Sequence, residues 1–371
     1  MHGERMDRVR GAMAEHGVDV LLLSVGADLP WLIGYEAMPL ERLTMLVVPG
    51  EGEATLVVPR LEAPRVVERG DLFSIQPWGE TDDPIDMVAS LVTSRTTANV
   101  AAIGDHTWAQ FLIELGDRLP ATSFRRASAV TGPLRAVKDR QEIAALAKAG
   151  AAVDRIARDL QAGGIPLIGR TEAQVSADIG QRILAEGHQR VNFAIVAAGE
   201  HAASPHHEAG DRLIRADEVV LCDFGGTMLA DGGAGYCSDI TRCVYTGDPP
   251  AEFAQLYDVL FQAHSAAVAA SLVGAAAETI DFAARSVIDD AGFGEWFIHR
   301  TGHGIGVDAH EDPYIVAGNS LPIVAGNVFS IEPGIYLPQL WGARLEDIVV
   351  ATVGGPISLN QAEHRLVSVD A

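Results

Sequence analysis

Residues 299–312 read HRTGHGIGVDAHED. These fourteen residues hold three histidines, three glycines and three carboxylates, and little that packs a core. His303 and His310 are separated by the Gly-rich hexapeptide GIGVDA, and His303 lies between Gly302 and Gly304. Imidazole at neutral pH serves both as a metal ligand and as a proton shuttle. A glycine on either side lets the backbone come close to whatever the histidine touches. The stretch reads as chemistry rather than packing, and its meaning depends on which acidic residues converge on it.

Four strand-like runs carry a carboxylate where a plain strand would avoid one. EVVLCDFGG (218–226) ends an apolar run with Asp223, and SDITRCVYTG (238–247) begins another with Asp239. VFSIEPGIY (328–336) places Glu332 before a Pro-Gly turn, and ARLEDIVVAT (343–352) sets Glu346 and Asp347 in mid-strand. Burying a carboxylate without a partner costs on the order of several kcal/mol. The main cations nearby in sequence are Arg242 and Arg344. Singly, Asp223 could cap a turn, Asp239 a strand start and Glu332 an edge, while Arg344 could pair with Glu346. Jointly with the histidine stretch, these groups call for divalent cations. Carboxylates with one imidazole and no thiolate suit manganese, cobalt or zinc.

The chain has 371 residues, a length for which two domains is the natural expectation. Hydrophobic residues make up 48%, enough for a large core. A net charge of −23 argues against nucleic acid or an anionic membrane as partner. The first ten residues, MHGERMDRVR, lack the apolar region of a signal peptide. Cys222, Cys237 and Cys243 cannot all pair with one another, and their spacing fits no zinc-finger pattern. A reduced, cytoplasmic protein is expected.

Strands at 18–24, 43–49, 54–60, 74–78 and 99–105 alternate with helices at 5–16, 82–93 and 106–119, which predicts an α/β domain. Thr131-Gly132-Pro133 marks a boundary, dividing the chain into residues 1–132 and 133–371. A helix over 138–161 carries Ile143, Leu146, Val153, Ile156 and Leu160 on one face. Thr171 and Gln174 form a capping-box pattern for the next helix. Two more helices are expected at 250–271 and 277–291, and His264 on the first reads as a satisfied core histidine.

The series DFGG, GYCSDITR, GHGIG, IEPG and RLED, in that order within residues 137–371, resembles the metallopeptidases of the pita-bread fold. Methionine aminopeptidase, aminopeptidase P and prolidase belong to that family. The N-terminal α/β domain, the Pro-His of SPHHEAGDRLI (204–214) and the His310-Glu311 pair resemble its creatinase and prolidase branch. The resemblance implies an α/β N-terminal domain followed by an α+β pita-bread catalytic domain. It implies a metal set of Asp223, Asp239, His303, Glu332 and Glu346, holding two divalent ions, manganese first, that share a hydroxide. Asp239 and Glu346 would bridge them. The two aspartates lie further apart here than in the family pattern, with the excess in TMLADGGAG, so Asp231 rivals Asp223. Asp223 is preferred, because a strand end fixes a ligand better than a Gly-rich loop.

The implied reaction is hydrolysis of Xaa-Pro bonds. Glu332 would act as general base and then acid. His206 and His310 would stabilise the oxyanion or orient the substrate, with His207 ranked below His206. Arg344 would bind substrate or orient Glu346 and its neighbours, and His299 would be structural. Expected partners are proline-containing di- or oligopeptides and, from the family, a second copy of the chain in a homodimer. A dipeptidase needs a cation for the free C-terminal carboxylate, and residues 311–331 contain no Arg or Lys. The overall length and compact N-terminal domain favour a Xaa-Pro dipeptidase; the alternative is a Xaa-Pro aminopeptidase acting on longer peptides. A metal-free creatinase-like amidinohydrolase or a non-catalytic binding module would have no use for all five ligands.

Overall fold

The computed structural model describes residues 2–95 and 99–370, which fall into two compact units. One comprises the chain up to Arg135 together with Ala230–Gly235, the other the remainder.

In chain order the first unit holds α1 (His2–Glu15), β1 (Val20–Leu23), α2 (Asp28–Ile33), β2 (Met45–Pro49), β3 (Ala54–Pro59) and β4 (Phe73–Trp78). There follow α3 (Pro84–Arg95), β5 (Val100–Ile103), α4 (Ala109–Arg118), β6 (Ser123–Arg126) and α5 (Ser128–Ala136). The strands make one mixed sheet in the order β4-β3-β2-β1-β5-β6. Every residue of β1, β2 and β3 is buried, as their unbroken apolar runs require. Val88, Val92, Phe111 and Leu115 from α3 and α4 pack against Val20, Leu22, Val47 and Val57. Three elements were not expected, α2, β6 and α5. α2 is too short to show a helical period, and β6 is an edge strand, SFRR, with no apolar alternation. Thr131-Gly132-Pro133 lies inside α5, where buried Val130 and Thr131 anchor the helix, and the two units divide just after it, between Arg135 and Ala136.

The second unit begins with α6 (Arg140–Gln161), α7 (Glu172–Ala185), β7 (Arg190–Ala198), β8 (Glu218–Leu229), β9 (Gly235–Cys237) and β10 (Ile240–Thr246). Next come α8 (Ala251–Ala270), α9 (Ala277–Asp290), β11 (Gly302–Gly304), β12 (Glu311–Ile315), β13 (Val328–Ile331) and β14 (Gly334–Leu337). It ends with β15 (Trp341–Arg344), β16 (Asp347–Thr352), β17 (Gly355–Ser358) and β18 (Val367–Val369). Capping boxes start both α6, through Asp139 and Glu142, and α7, through Thr171 and Gln174. One sheet runs β18-β10-β8-β7 with β9 on β8; another runs β12-β11-β13-β16-β17; β14 and β15 form a hairpin. Ile156, Leu160 and Ile179 of α6 and α7 pack with Val196, Phe224 and Ile240. Leu256, Leu260 and Ile280 of α8 and α9 pack with Leu221, Phe329 and Val349. Among the described residues no helix is long and apolar enough to cross a membrane.

Two expected strands are each split, and the breaks fall at acidic residues. Pro333 has no N–H to continue a ladder, so β13 ends before Glu332 and β14 starts after Pro333. Glu346 is not in mid-strand: it lies between β15 and β16, and its N–H donates to Thr241 O at 3.3 Å.

Candidate metal centre

A cavity of about 740 Å³ in the second unit is lined by Asp223, Asp239, His303, Glu332 and Glu346. His206, His310 and Arg344 line it as well. Ligand atoms of Asp239, His303 and Glu346 lie within 4.8 Å of one another, and His303 Nε2 is 3.2 Å from Glu332 Oε1. Asp231, the rival of Asp223, is an exposed turn residue and does not line the cavity.

Strand alternation aims these groups. On β8, Leu221 and Asp223 share one face while Cys222 and Phe224 take the other. Asp223 is in register with Thr241 of β10, and Thr241 shares its face with Asp239 two residues earlier. Thr241 Oγ1 donates to Glu346 Oε2 at 2.7 Å. The same two-residue step puts Ser330 on the face of Glu332. Ser330 Oγ donates to Glu332 Oε1 at 3.0 Å and accepts the His303 N–H at 2.9 Å. Neither hydroxyl stood out in the sequence; the step of two from a candidate ligand is the signal that finds them.

The glycines around His303 have steric reasons. A Cβ on Gly302 would come within 1.8 Å of Ser330 O, and one on Gly304 within 2.2 Å of Asp312 O. His303 Nδ1 donates to Gly304 O at 3.1 Å. That bond fixes the ring and points Nε2 at the cluster, where a bound cation would take its lone pair.

The centre is rich in negative charge and poor in donors. Asp223 Oδ1 and Asp239 Oδ1 are buried with no hydrogen-bond partner among the described residues. Burial, then repulsion from Glu346, Asp223 and Glu332, pushes the Asp239 carboxyl well above its ordinary range. Burial and the charges of Glu332 and Asp223 do the same to Glu346. Burial also pushes Glu332 up, but the His303 hydrogen bond and the positive charges of His303, His299 and Arg344 outweigh it and hold Glu332 low. Orphaned oxygens and mutual repulsion are what a carboxylate cage presents when its design includes a cation. The residues present therefore fit a divalent metal.

Arg344 is buried and does not pair with Glu346. It forms an ion pair with Asp223 Oδ2, donates to the Tyr336 hydroxyl at 2.8 Å, and reaches Thr241 Oγ1 at 3.3 Å. All three of its nitrogens are engaged with protein groups, so it orients Asp223 while leaving Oδ1 free. His299 is held between Arg300 O, 2.7 Å from Nδ1, and the Tyr336 hydroxyl, 2.8 Å from Nε2. The His303 and His310 rings lie 3.8 Å apart, and burial followed by the His303 charge lowers the His310 pKa to about 4. His310 is thus neutral near pH 7. His207, next to His206, turns away from the cavity and meets Glu172.

Arg300 is a cavity-lining cation that sequence reasoning passed over. Its guanidinium stacks on the Tyr314 ring at 4.5 Å, and Nη2 lies 3.5 Å from His310 Nδ1. Among the described residues no carboxylate pairs with it. Its signal was its place in the quoted stretch, three residues before His303. The three cysteines are free and buried; burial first, only partly offset by hydrogen bonds, pushes Cys237 up to about 11. His264 is buried as expected, but among the described residues its Nε2 has no hydrogen-bond partner, so it is not satisfied.

A family model described as metallopeptidase family M24 matches residues 142–353, and one described as the creatinase/prolidase N-terminal domain matches residues 5–137. The crystal structure of dipeptidase PepE from Mycobacterium ulcerans is 46% identical, with a TM-score of 0.91 over 99% of this chain and 98% of that one. A prolidase structure from Thermococcus sibiricus is 33% identical, with a TM-score of 0.93 over 100% of this chain and 99% of that one. The Xaa-Pro dipeptidase of Lactobacillus helveticus is 34% identical over 94% of this chain and 95% of its own length. The matches span both units and the whole carboxylate cage, and the chain belongs to metallopeptidase family M24.

Proposed function

We propose that this metallopeptidase is a Xaa-Pro dipeptidase, acting in the cytoplasm as a homodimer, with two divalent cations, manganese in the first place. Asp223, Asp239, His303, Glu332 and Glu346 would hold them. Divalent cations in such a cage polarise a carbonyl and acidify a bound water. The chain's own groups do the rest. Glu332, kept anionic beside His303, accepts the proton of the attacking water and returns it to the proline nitrogen as the peptide bond breaks. His310, neutral near pH 7, faces the substrate from the cavity wall with His206, and both donate to the oxygen on which charge develops. Arg344 keeps Asp223 in place.

The observation that carries the dipeptide reading is Arg300. It is the cavity cation without an ion-pair partner among the described residues, and a dipeptide presents a free carboxylate within one residue of the scissile bond. A guanidinium on an aromatic face is well placed for bidentate recognition of that group. The names of the Mycobacterium ulcerans and Lactobacillus helveticus relatives agree with this substrate class.

Steady-state hydrolysis of Xaa-Pro, Xaa-Pro-amide and Xaa-Pro-Yaa tests the proposal. The wild type is expected to prefer Xaa-Pro. Arg300→Met is expected to lower kcat/KM for Xaa-Pro by about 30-fold or more, the loss of a charged hydrogen bond of about 2 kcal/mol, with little change for the amide. Equal or faster cleavage of Xaa-Pro-Yaa by the wild type would make the enzyme an aminopeptidase.

A further inference from the structure

A second group of ligand-type side chains lies in the same unit, away from the catalytic cavity. Glu172 is the first residue of α7, and its side chain is wholly buried. Its Oε1 is 3.0 Å from His201 Nδ1 and its Oε2 is 2.8 Å from His207 Nε2. The two imidazole rings are 4.3 Å apart, and the three donor atoms lie within 4.8 Å of one another. The cluster is reachable: the side chains of His201 and His207 are 37% and 17% exposed. None of the three residues lines the catalytic cavity.

We propose that Glu172, His201 and His207 form an accessory site for a borderline divalent cation, Zn2+ foremost, separate from the catalytic centre. Two imidazoles and one carboxylate, with a solvent-facing fourth position for water, make a zinc donor set. Magnesium and calcium prefer oxygen alone. Burial raises the Glu172 pKa, but the Ala198 N–H and the two histidines lower it more, so the carboxylate is charged at neutral pH. The Ala198 N–H, 2.9 Å from Oε1, also fixes its orientation. Without a cation the two rings donate hydrogen bonds to Glu172. With one, each ring shifts to its other tautomer and turns a lone pair inward. Ligands about 2.0–2.1 Å from a tetrahedral ion stand roughly 3.3 Å from one another. The present nitrogen–oxygen distances of 2.8–3.1 Å therefore have to open by only a few tenths of an ångström.

The site also has a route to the reaction. His207 follows His206, which lines the cavity, and Pro205 O accepts from Arg344 Nη1 at 3.3 Å. A cation on His201 and His207 pins both ends of the segment that carries this wall. The inference stands on the cluster's geometry and does not depend on the Xaa-Pro reading.

The test is equilibrium dialysis of the manganese-loaded protein against Zn2+, with both metals counted per chain, on wild type, His201→Ala and Asp239→Asn. His201 is partly exposed and outside the catalytic machinery, so its variant should fold and keep its manganese and peptidase activity. The wild type is expected to bind one more zinc per chain than His201→Ala. The variant's affinity for that ion should drop about 100-fold or more, since even partners outside a metal's ligand shell are worth 10–100-fold. Asp239→Asn should retain the extra zinc. Substituting Co2+ should add the intense visible bands of a tetrahedral ion in wild type and not in His201→Ala. Equal zinc in wild type and His201→Ala would overturn the proposal and leave a hydrogen-bonded structural triad. So would extra zinc that disappears with Asp239→Asn and not with His201→Ala.

Discussion

Glu346 and Asp347 are consecutive, acidic and buried, yet their surroundings differ in kind. Asp347 Oδ1 is 2.8 Å from Arg242 Nη2 and Oδ2 is 2.6 Å from His364 Nε2. Burial pushes its pKa up, but the His364 hydrogen bond and the Arg242 charge more than reverse that. Glu346 accepts from the neutral Thr241 hydroxyl and faces Glu332 and Asp223, so burial and then these charges drive its pKa up. Arg242 stands at the seam. It is wholly buried, pairs with Asp347, and donates to the carbonyls of Thr241 and Glu346 at 2.9 and 2.6 Å. A buried carboxylate with a protein cation is completed structure. A buried carboxylate among other carboxylates is completed only by something the chain does not encode.

The strongest way to break this contrast is to neutralise a cage carboxylate. Asp239→Asn should lose at least one metal ion per chain and about 10³-fold or more in kcat/KM, corresponding to several kcal/mol of lost electrostatic stabilisation. In metal-free protein the same change should not destabilise the fold, because it removes a repelled charge. Metal analysis and urea unfolding with and without chelator check both halves. Full metal content with normal turnover would remove Asp239 from the centre. The complementary change is Arg242→Met, which strips Asp347 of its cation. It should destabilise the protein by about 3–5 kcal/mol, the usual loss when one partner of a buried pair is removed. Arg242→Met with Asp347→Leu should recover much of that loss. A double variant as unstable as Arg242→Met would mean that the arginine acts through the carbonyls it holds rather than through Asp347.

The same contrast explains what could be read in advance. Asp223, Asp239, His303 and Glu332 were conspicuous because strands and Gly-rich turns rarely carry such groups, and the cavity brings all four together with Glu346. The break that frees Glu346 was not legible, since ARLEDIVVAT has a continuous strand composition; only the competing bond to Thr241 O reveals it. Thr241 and Ser330 were hidden by being ordinary strand residues. Glu172 reads in sequence as an acid favoured at a helix N-terminus. Its partners lie 29 and 35 residues away, a separation that no local pattern encodes. In the first unit, α5 was not legible, because Thr131-Gly132-Pro133 has the composition of a break, yet burial of Val130 and Thr131 holds the segment helical.

The smallest expected effect concerns the histidine beside Asp347. His264 Nε2 is 3.8 Å from Asp347 Oδ2, too far for a hydrogen bond, and has no hydrogen-bond partner among the described residues. Burial lowers its pKa to about 4, although Asp347 pulls the other way. In the unfolded chain a histidine titrates near pH 6.5. Between about pH 6.5 and 4 the unfolded chain therefore binds a proton that the folded protein refuses. Stability falls as pH drops through that window, and this contribution levels off below it. His264→Leu removes the term while filling similar space. From pH 7 to 4.5 the wild type should lose on the order of 2 kcal/mol more than His264→Leu, as read by urea unfolding at a series of pH values. Other buried histidines, such as His310 and His299, titrate in both proteins, so the difference isolates His264. Parallel stability curves would mean that protonated His264 is accepted inside the fold. The Asp347 side of the comparison would then have charge capacity to spare, and the cage around Glu346 would stand apart by its acids alone.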